Sequence, residues 1–191
     1  MWRRRLIWIW LGWSLTLTLP GRADVPSAGS SWAIESELLH RRLRIDDLQA
    51  WTPSQQRWQP RALDSVPVTV LHLWSPRCVP CVEELPLLAR LLDAWKSEPS
   101  VRFLVVADHE GDGSELIPFL SAQPLLWRNR PLLRLGTDRL RDGLGVSVQP
   151  LTLLIDEQRV IRQAFVGPLS GRSLGSAISR LLATRASSSK Q

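Results

Sequence analysis

Two cysteines, Cys78 and Cys81, are the only ones in this chain, and they stand where one sequence pattern gives way to another. Upstream, Val68-Thr69-Val70-Leu71-His72-Leu73-Trp74 is apolar almost throughout, as expected of a strand buried on both faces. Downstream, Leu85, Leu88, Leu91, Leu92 and Trp95 recur at three and four, while Glu83, Arg90, Asp93 and Lys96 mark a wet side. That spacing predicts an amphipathic helix from about Cys78 to Trp95. Cysteines three apart at a helix start can close a small disulfide ring with little backbone movement. The free N–H groups and positive dipole end of the helix also favour a thiolate there. Cys78 is therefore expected to be the exposed nucleophile, and Cys81, one turn further in, the shielded thiol that resolves a mixed disulfide. Pro80 between them suits a first-turn position, where its missing donor costs nothing. A purely structural bridge is the competing reading, but so short a loop restrains the unfolded chain far less than a long-range staple. Zinc wants four ligands, and only His40, His72 and His109 could join the cysteines, none with a second-pair spacing, so no metal site is expected.

Strands and helices alternate along the rest of the chain. Leu43 to Ala50 and Trp58 to Leu63, on either side of Thr52-Pro53-Ser54, predict an N-terminal hairpin. Val101 to Ala107 reads as a second buried strand, Ser114 to Ala122 as a short helix capped by Ser114, and Leu132 to Leu135 as a short strand. Asp138 to Leu144 reads as a helical turn. Pro150 to Ile155 and Val160 to Val166 flank four polar residues that suit a hairpin loop. A last helix, from about Gly171 to Ala183, presents Leu174, Ile178, Leu181 and Leu182 on one face. This order predicts an α/β protein with a central mixed sheet flanked by helices.

The N-terminus reads as an address. Arg3, Arg4 and Arg5 precede an apolar run from Leu6 to Leu19, and small residues follow at Gly21 and Ala23, the three-part layout of a secretory signal. Fourteen helical residues would span about 21 Å, short of a ~30 Å hydrocarbon core, so a cleaved signal is favoured over a retained membrane anchor. Four of the 24 basic residues lie in this acid-free stretch, so the net charge of +6 is mostly a property of the leader. The expected organisation is a signal over 1–23, a linker over 24–31, one domain over 32–185 and a flexible tail over 186–191. Export would put the mature protein in the periplasm, an oxidising space. No cluster of basic and aromatic residues marks the mature chain, so nucleic-acid binding is not expected.

The segment from Leu71 through Trp74, Cys78-Val79-Pro80-Cys81, Glu84 and Pro86 resembles the active-site segment of thioredoxin-fold thiol:disulfide oxidoreductases, most closely the exported TlpA/ResA-like family. About 70 residues on, Gly145-Val146-Ser147-Val148-Gln149-Pro150, running to Ile155-Asp156, is similar to the family's second motif. The resemblance covers roughly 67–183 and leaves 32–66 as a divergent N-terminal extension. It implies a thioredoxin-like fold and a redox-active Cys78–Cys81 disulfide with no other cofactor. It also implies a cis-proline at Pro150 that leaves the Gln149 backbone free to pair with an extended substrate. Trp74 and Arg77 join Gln149 as expected substrate contacts. Glu84 matches a family acid that could relay the Cys81 proton, against a plain reading as a solvated helix-face carboxylate. Arg77 stands where the family usually has an aromatic residue, and its cation is expected to favour the Cys78 thiolate. His72 occupies the strand position six before the nucleophile, where thioredoxins have a buried acid. It is read as a tuning residue, either a buried neutral imidazole bonded to backbone or a proton shuttle.

The function expected from this resemblance is an exported oxidoreductase exchanging disulfides with periplasmic proteins, as a reductant in the manner of cytochrome c maturation. A membrane electron donor of the DsbD or CcdA type would supply it. Three alternatives stay open: a disulfide-donating oxidant, a partner-binding domain with incidental cysteines, and a copper-binding assembly factor in which His72 or His109 joins two thiolates on Cu(I).

Overall fold

The computed structural model describes residues 29–44, 48–52, 54–108, 114–122, 132–135, 139–145 and 147–188. The expected leader over 1–23, as well as His109 and Asp138, lies outside the described residues. Twelve elements follow one another: α1 (Gly29–Leu38), β1 (Leu48–Thr52), β2 (Arg57–Pro60), β3 (Val68–Trp74), α2 (Val79–Ala94), β4 (Val101–Ala107), α3 (Leu116–Ser121), β5 (Leu133–Leu135), α4 (Arg139–Leu144), β6 (Leu151–Asp156), β7 (Ile161–Val166) and α5 (Gly171–Ser188). The strands form one mixed sheet in the order β2-β1-β5-β4-β3-β6-β7. β3 pairs parallel with β4 and antiparallel with β6, so it is the central strand of the half that carries the cysteines.

Alternation along β3 divides the interior between the two faces of the sheet. Leu71 and Leu73 point into a cluster with Leu38, Leu43, Leu104, Val106, Leu144, Leu151 and Leu153. Val70 and Trp74 point the other way, into a cluster built by Cys81, Leu85 and Leu88 of α2 and Leu174, Ala177 and Ile178 of α5. A strand with both faces covered must be apolar on both, which is why β3 and β6 read as continuous runs. Gly171 opens α5 where a Cβ would come within 3.2 Å of Leu87, so the absence of a side chain lets α5 close onto α2.

The expected hairpin forms, with tighter limits. Trp51 lies opposite Trp58 in the β1–β2 register, and their rings pack edge to face at 5.5 Å. β1 also pairs antiparallel with β5, which fastens the extension to the sheet. Leu43 is not part of β1. Its N–H donates to the Arg159 carbonyl, and together with the His40 N–H to the Ile161 carbonyl and the Ile161 N–H to the Arg41 carbonyl it draws residues 40–43 along the outer edge of β7.

Three limits differ from the sequence reading. α1 begins at Gly29, within the stretch read as linker, and packs on β7, with Glu35 Oε1 accepting the Val166 N–H at 3.0 Å. α5 runs to Ser188, past the expected start of a tail. α3 starts at Leu116, two residues beyond Ser114. Among the described residues no helix is long and apolar enough to cross a membrane.

Candidate active site

The turn between β3 and α2 brings the cysteines together. The Cys78 N–H donates to the Ser75 carbonyl, and Cys78 then caps α2, its Sγ accepting from the Cys81 N–H at 3.3 Å. Cys78 and Cys81 are joined in a disulfide. Cys81 is wholly buried among Trp74, Leu85 and Leu88, whereas Cys78 is half-buried and Val79 beside it is 66% exposed. One sulfur thus meets the surface at the head of a helix while the other faces the core. That asymmetry suits attack at Cys78 and resolution by Cys81.

The Gln149–Pro150 peptide is cis, as the family motif implies. Leu73 pairs with Leu151, so Pro150 lies at the end of the sheet where β3 leaves for the cysteines. The Pro150 carbonyl accepts from the N–H of Gly167, whose φ of 90° is a conformation that favours glycine. The Gln149 side chain donates to Asp108 Oδ2 at 2.6 Å, which ties the residue before the cis bond to the end of β4. Its side chain is therefore engaged within the protein.

Beneath the disulfide lies a buried polar trio. The β3–β6 register sets His72 opposite Thr152, and Nδ1 of His72 lies 2.8 Å from the Thr152 hydroxyl. Alternation turns His72 toward α2, where its Nε2 faces Glu84 Oε1 at 3.1 Å. Those two atoms have no hydrogen-bond partner other than this contact with each other, among the described residues. The second carboxylate oxygen, Oε2, accepts from the Leu169 N–H at 2.9 Å. His72 is wholly buried and Glu84 nearly so. Burial pushes the His72 imidazole down to about 3. Burial likewise raises the Glu84 carboxyl above its usual range, with the Leu169 N–H pulling part of the way back. Both shifts favour a pair that is neutral as a whole, with one proton between them.

Several expected residues take other places. Glu84 is not a solvated helix-face carboxylate; Glu83 is the exposed one, because only the position one turn past Cys81 points inward. His72 meets two side chains rather than the backbone. Trp74 is wholly buried and packs on Phe119 with ring centroids 5.6 Å apart, so it supports the disulfide from below and offers no surface to a substrate. Arg77 is exposed, and its guanidinium reaches Glu115 at 3.5 Å, so a nearby carboxylate offsets the cation expected to act on Cys78. Both His72 ring nitrogens are engaged, which removes it as a third copper ligand. Sequence reasoning missed Thr152, Asp108, Glu115 and the Leu169 N–H. Each meets its partner across 38 to 85 residues of chain, so only the folded arrangement, and for Thr152 the β3–β6 register, brings them together.

No family model matches the chain. Over 108 residues it is 27% identical to sporulation thiol-disulfide oxidoreductase A of Bacillus subtilis (strain 168), a match spanning 56% of this chain and 63% of that protein's length. The structure superposes on StoA from Bacillus subtilis with a TM-score of 0.54 and 22% identity, covering 68% of this chain and 95% of the other. This is a thioredoxin-fold protein. A second thioredoxin-like neighbour, a putative thiol:disulfide interchange protein DsbE from Chlorobium tepidum, gives a TM-score of 0.57 at 17% identity, covering 75% of this chain and 99% of that one. A third, the pneumococcal exposed lipoprotein thioredoxin Etrx1 from Streptococcus pneumoniae, gives 0.54 at 17%, covering 69% and 97%. These likenesses agree with the resemblance carried by the two sequence motifs. On this thioredoxin fold, the extension of α1, β1 and β2 widens the sheet at β5 and closes it at β7.

Proposed function

We propose that this chain is a thiol-disulfide oxidoreductase that exchanges disulfides with exported proteins through Cys78 and Cys81. The observation that carries this reading is the disulfide itself, at a helix head with one half-buried and one wholly buried sulfur. In the reductive direction, the Cys78 thiolate attacks a substrate disulfide and forms a mixed disulfide. Cys81 then loses its proton and attacks Cys78 Sγ, and the reduced substrate leaves while the Cys78–Cys81 bond closes. The place of Gln149 and Pro150 just before β6, at the end of the sheet where β3 leaves for the cysteines, supports a docking role for the Gln149 backbone, where an extended substrate could pair as an added strand. The named activity of the Bacillus subtilis relative supports the same chemistry.

The leader-like residues 2–23 support export to the periplasm, with the segment either removed or kept as an anchor. We take the physiological direction to be reductive, with a membrane donor of the DsbD or CcdA type and periplasmic thiols such as those of cytochrome c maturation as acceptors. The deciding experiment is the reduction potential of the full chain, equilibrated against glutathione or dithiothreitol buffers. A value near or below about −250 mV supports the reductant, and one near about −120 mV makes the chain a disulfide donor instead. Absence of any exchange at Cys78 overturns the oxidoreductase reading.

A further inference from the structure

We propose that residues 29–44 clamp the part of the chain that docks substrate, with Arg41 and Glu35 as its positioning residues. Arg41 fixes where the approach to Gln149 begins, and Glu35 fixes the strand end that holds Pro150. This deepens the oxidoreductase reading and rests on it, in particular on the Gln149 backbone receiving an extended substrate.

The first contact lies at the end of α4. Arg41 donates from Nη1 to the Leu144 carbonyl at 2.6 Å and from Nη2 to the Gly143 carbonyl at 2.9 Å. Carbonyls of a last helical turn have no partner within the helix, and that end of a helix favours a cation. The chain then turns at Gly145, whose φ of 69° favours glycine and whose N–H donates to the Asp142 carbonyl at 3.2 Å. A Cβ on Gly145 would lie 3.6 Å from Arg41 Nη1, so the guanidinium sits against the residue where the chain leaves for Gln149. The Arg41 backbone is tied to the sheet in its turn, its carbonyl accepting the Ile161 N–H at 2.9 Å. One residue thereby joins β7 to the end of α4, and the planar fork of its side chain sets a direction as well as a distance.

The second contact lies at the other end of β7. Glu35 Oε1 accepts the Val166 N–H at 3.0 Å. Val166 pairs with Leu151, the residue after Pro150, and the Gly167 N–H donates to the Pro150 carbonyl at 2.9 Å. Glu35 therefore acts on Pro150 through two neighbouring residues of one strand end. Between the two contacts the clamp is apolar: Leu38 and Leu43 are buried in one cluster with Leu144 and Leu151, and Val148 packs against it. A substrate that pairs with the Gln149 backbone inherits any error in where that backbone sits, and its sulfur is misaligned with Cys78 by the same amount. A small disulfide has no strand to pair and does not inherit it.

The test gives the reduced full-length chain two disulfides with one leaving group: dithiobis(nitrobenzoate), and an extended peptide whose single cysteine is joined to thionitrobenzoate. In each, the Cys78 thiolate forms a bond to one sulfur and thionitrobenzoate departs with the electron pair of the bond that breaks. Its first release measures the second-order rate constant of capture, and the readout is the ratio of peptide to small disulfide. We expect that ratio to fall about tenfold in Arg41→Ala and several-fold in both Glu35→Ala and Arg41→Lys. Glu35→Gln should keep the wild-type ratio, because its amide oxygen still accepts the Val166 N–H. A wild-type ratio in either alanine variant overturns the proposal, as does a loss in Glu35→Gln equal to that in Glu35→Ala. If Arg41→Ala does not fold, Arg41→Lys decides in its place. A wild-type chain that captures both compounds with no preference for the peptide also overturns it and leaves the exchange chemistry standing. A wild-type chain that releases no thionitrobenzoate from either strikes the oxidoreductase reading beneath it.

Discussion

The rim of the disulfide and the floor beneath it are built on opposite principles. At the rim, Arg77 and Glu115 meet at 3.5 Å with both side chains more than half exposed, so water solvates each charge whether or not the other is present. On the floor, His72 and Glu84 meet at a similar distance with almost no exposure, and each depends on the other and on Thr152 or Leu169 to remain paired. The same separation is worth little in the first place and much in the second, because the surroundings set the effective dielectric. Burial, more than the presence of a charged residue near a cysteine, shows which groups the chemistry can feel.

The sharpest way to test this contrast is at the sulfurs themselves. Cys81→Ser is expected to form a mixed disulfide that accumulates, with turnover reduced to background, whereas Cys78→Ser captures nothing; trapping followed by mass spectrometry separates the two. An effect on turnover of equal size from both, with no trapped species, would break the division between rim and floor.

The next largest effect is the pH dependence of stability. The folded state keeps His72 neutral down to about 3, whereas the unfolded chain protonates it near 6.5. A group whose folded value is depressed in this way, and whose protonated form is the charged one, contributes stability that is present above 6.5 and lost as pH falls toward 3. Those pKa values correspond to a loss of up to about 5 kcal/mol. Glu84 acts with the opposite sense: its raised value gives stability below the ordinary carboxylate range that is lost as pH rises through the raised value. Denaturant midpoints measured across pH should therefore fall on the acid side in the wild-type chain, and fall less steeply in His72→Gln.

A smaller effect separates neighbours on one helix. Glu84→Ala leaves His72 Nε2 and the Leu169 N–H without partners and should destabilise the fold by about 1–3 kcal/mol. Glu83→Ala, at an exposed position, should stay within about 0.5 kcal/mol of wild type in the same unfolding measurement. Smallest of all, Arg77→Ala removes one side of an exposed pair worth no more than about 1 kcal/mol. Alkylation of Cys78 should then change by less than about fivefold, and a much larger change would restore the direct role read from the sequence.

The parts of this protein that could be read from its sequence are those fixed by local pattern. β3 and α2 were legible because each carries its own periodicity over seven or more residues, and the C-x-x-C marks their junction. Pro150 was legible because a second motif framed it. The floor was not, because its members are distant in the chain and a lone Thr in an apolar strand says nothing about the residue across from it. Only the register of β3 against β6 pairs His72 with Thr152, 80 positions apart. α1 was missed for a different reason. Gly29–Leu38 holds small and polar residues with Ile34 and Leu38 as its inward apolar contacts, so its place comes from the β7 surface it covers more than from its own pattern.

That covering has a consequence for assembly. The last strand of a sheet ordinarily presents a row of unsatisfied backbone groups on which another chain can polymerise. At β7 the Ile161 N–H and carbonyl are taken up by the backbone of Arg41 and His40 at one end, and the Val166 N–H by the Glu35 carboxylate at the other. The two ends of this border are thus already paired within the chain. A shortened chain lacking residues 29–44 would expose both ends of β7 to strand addition by another chain.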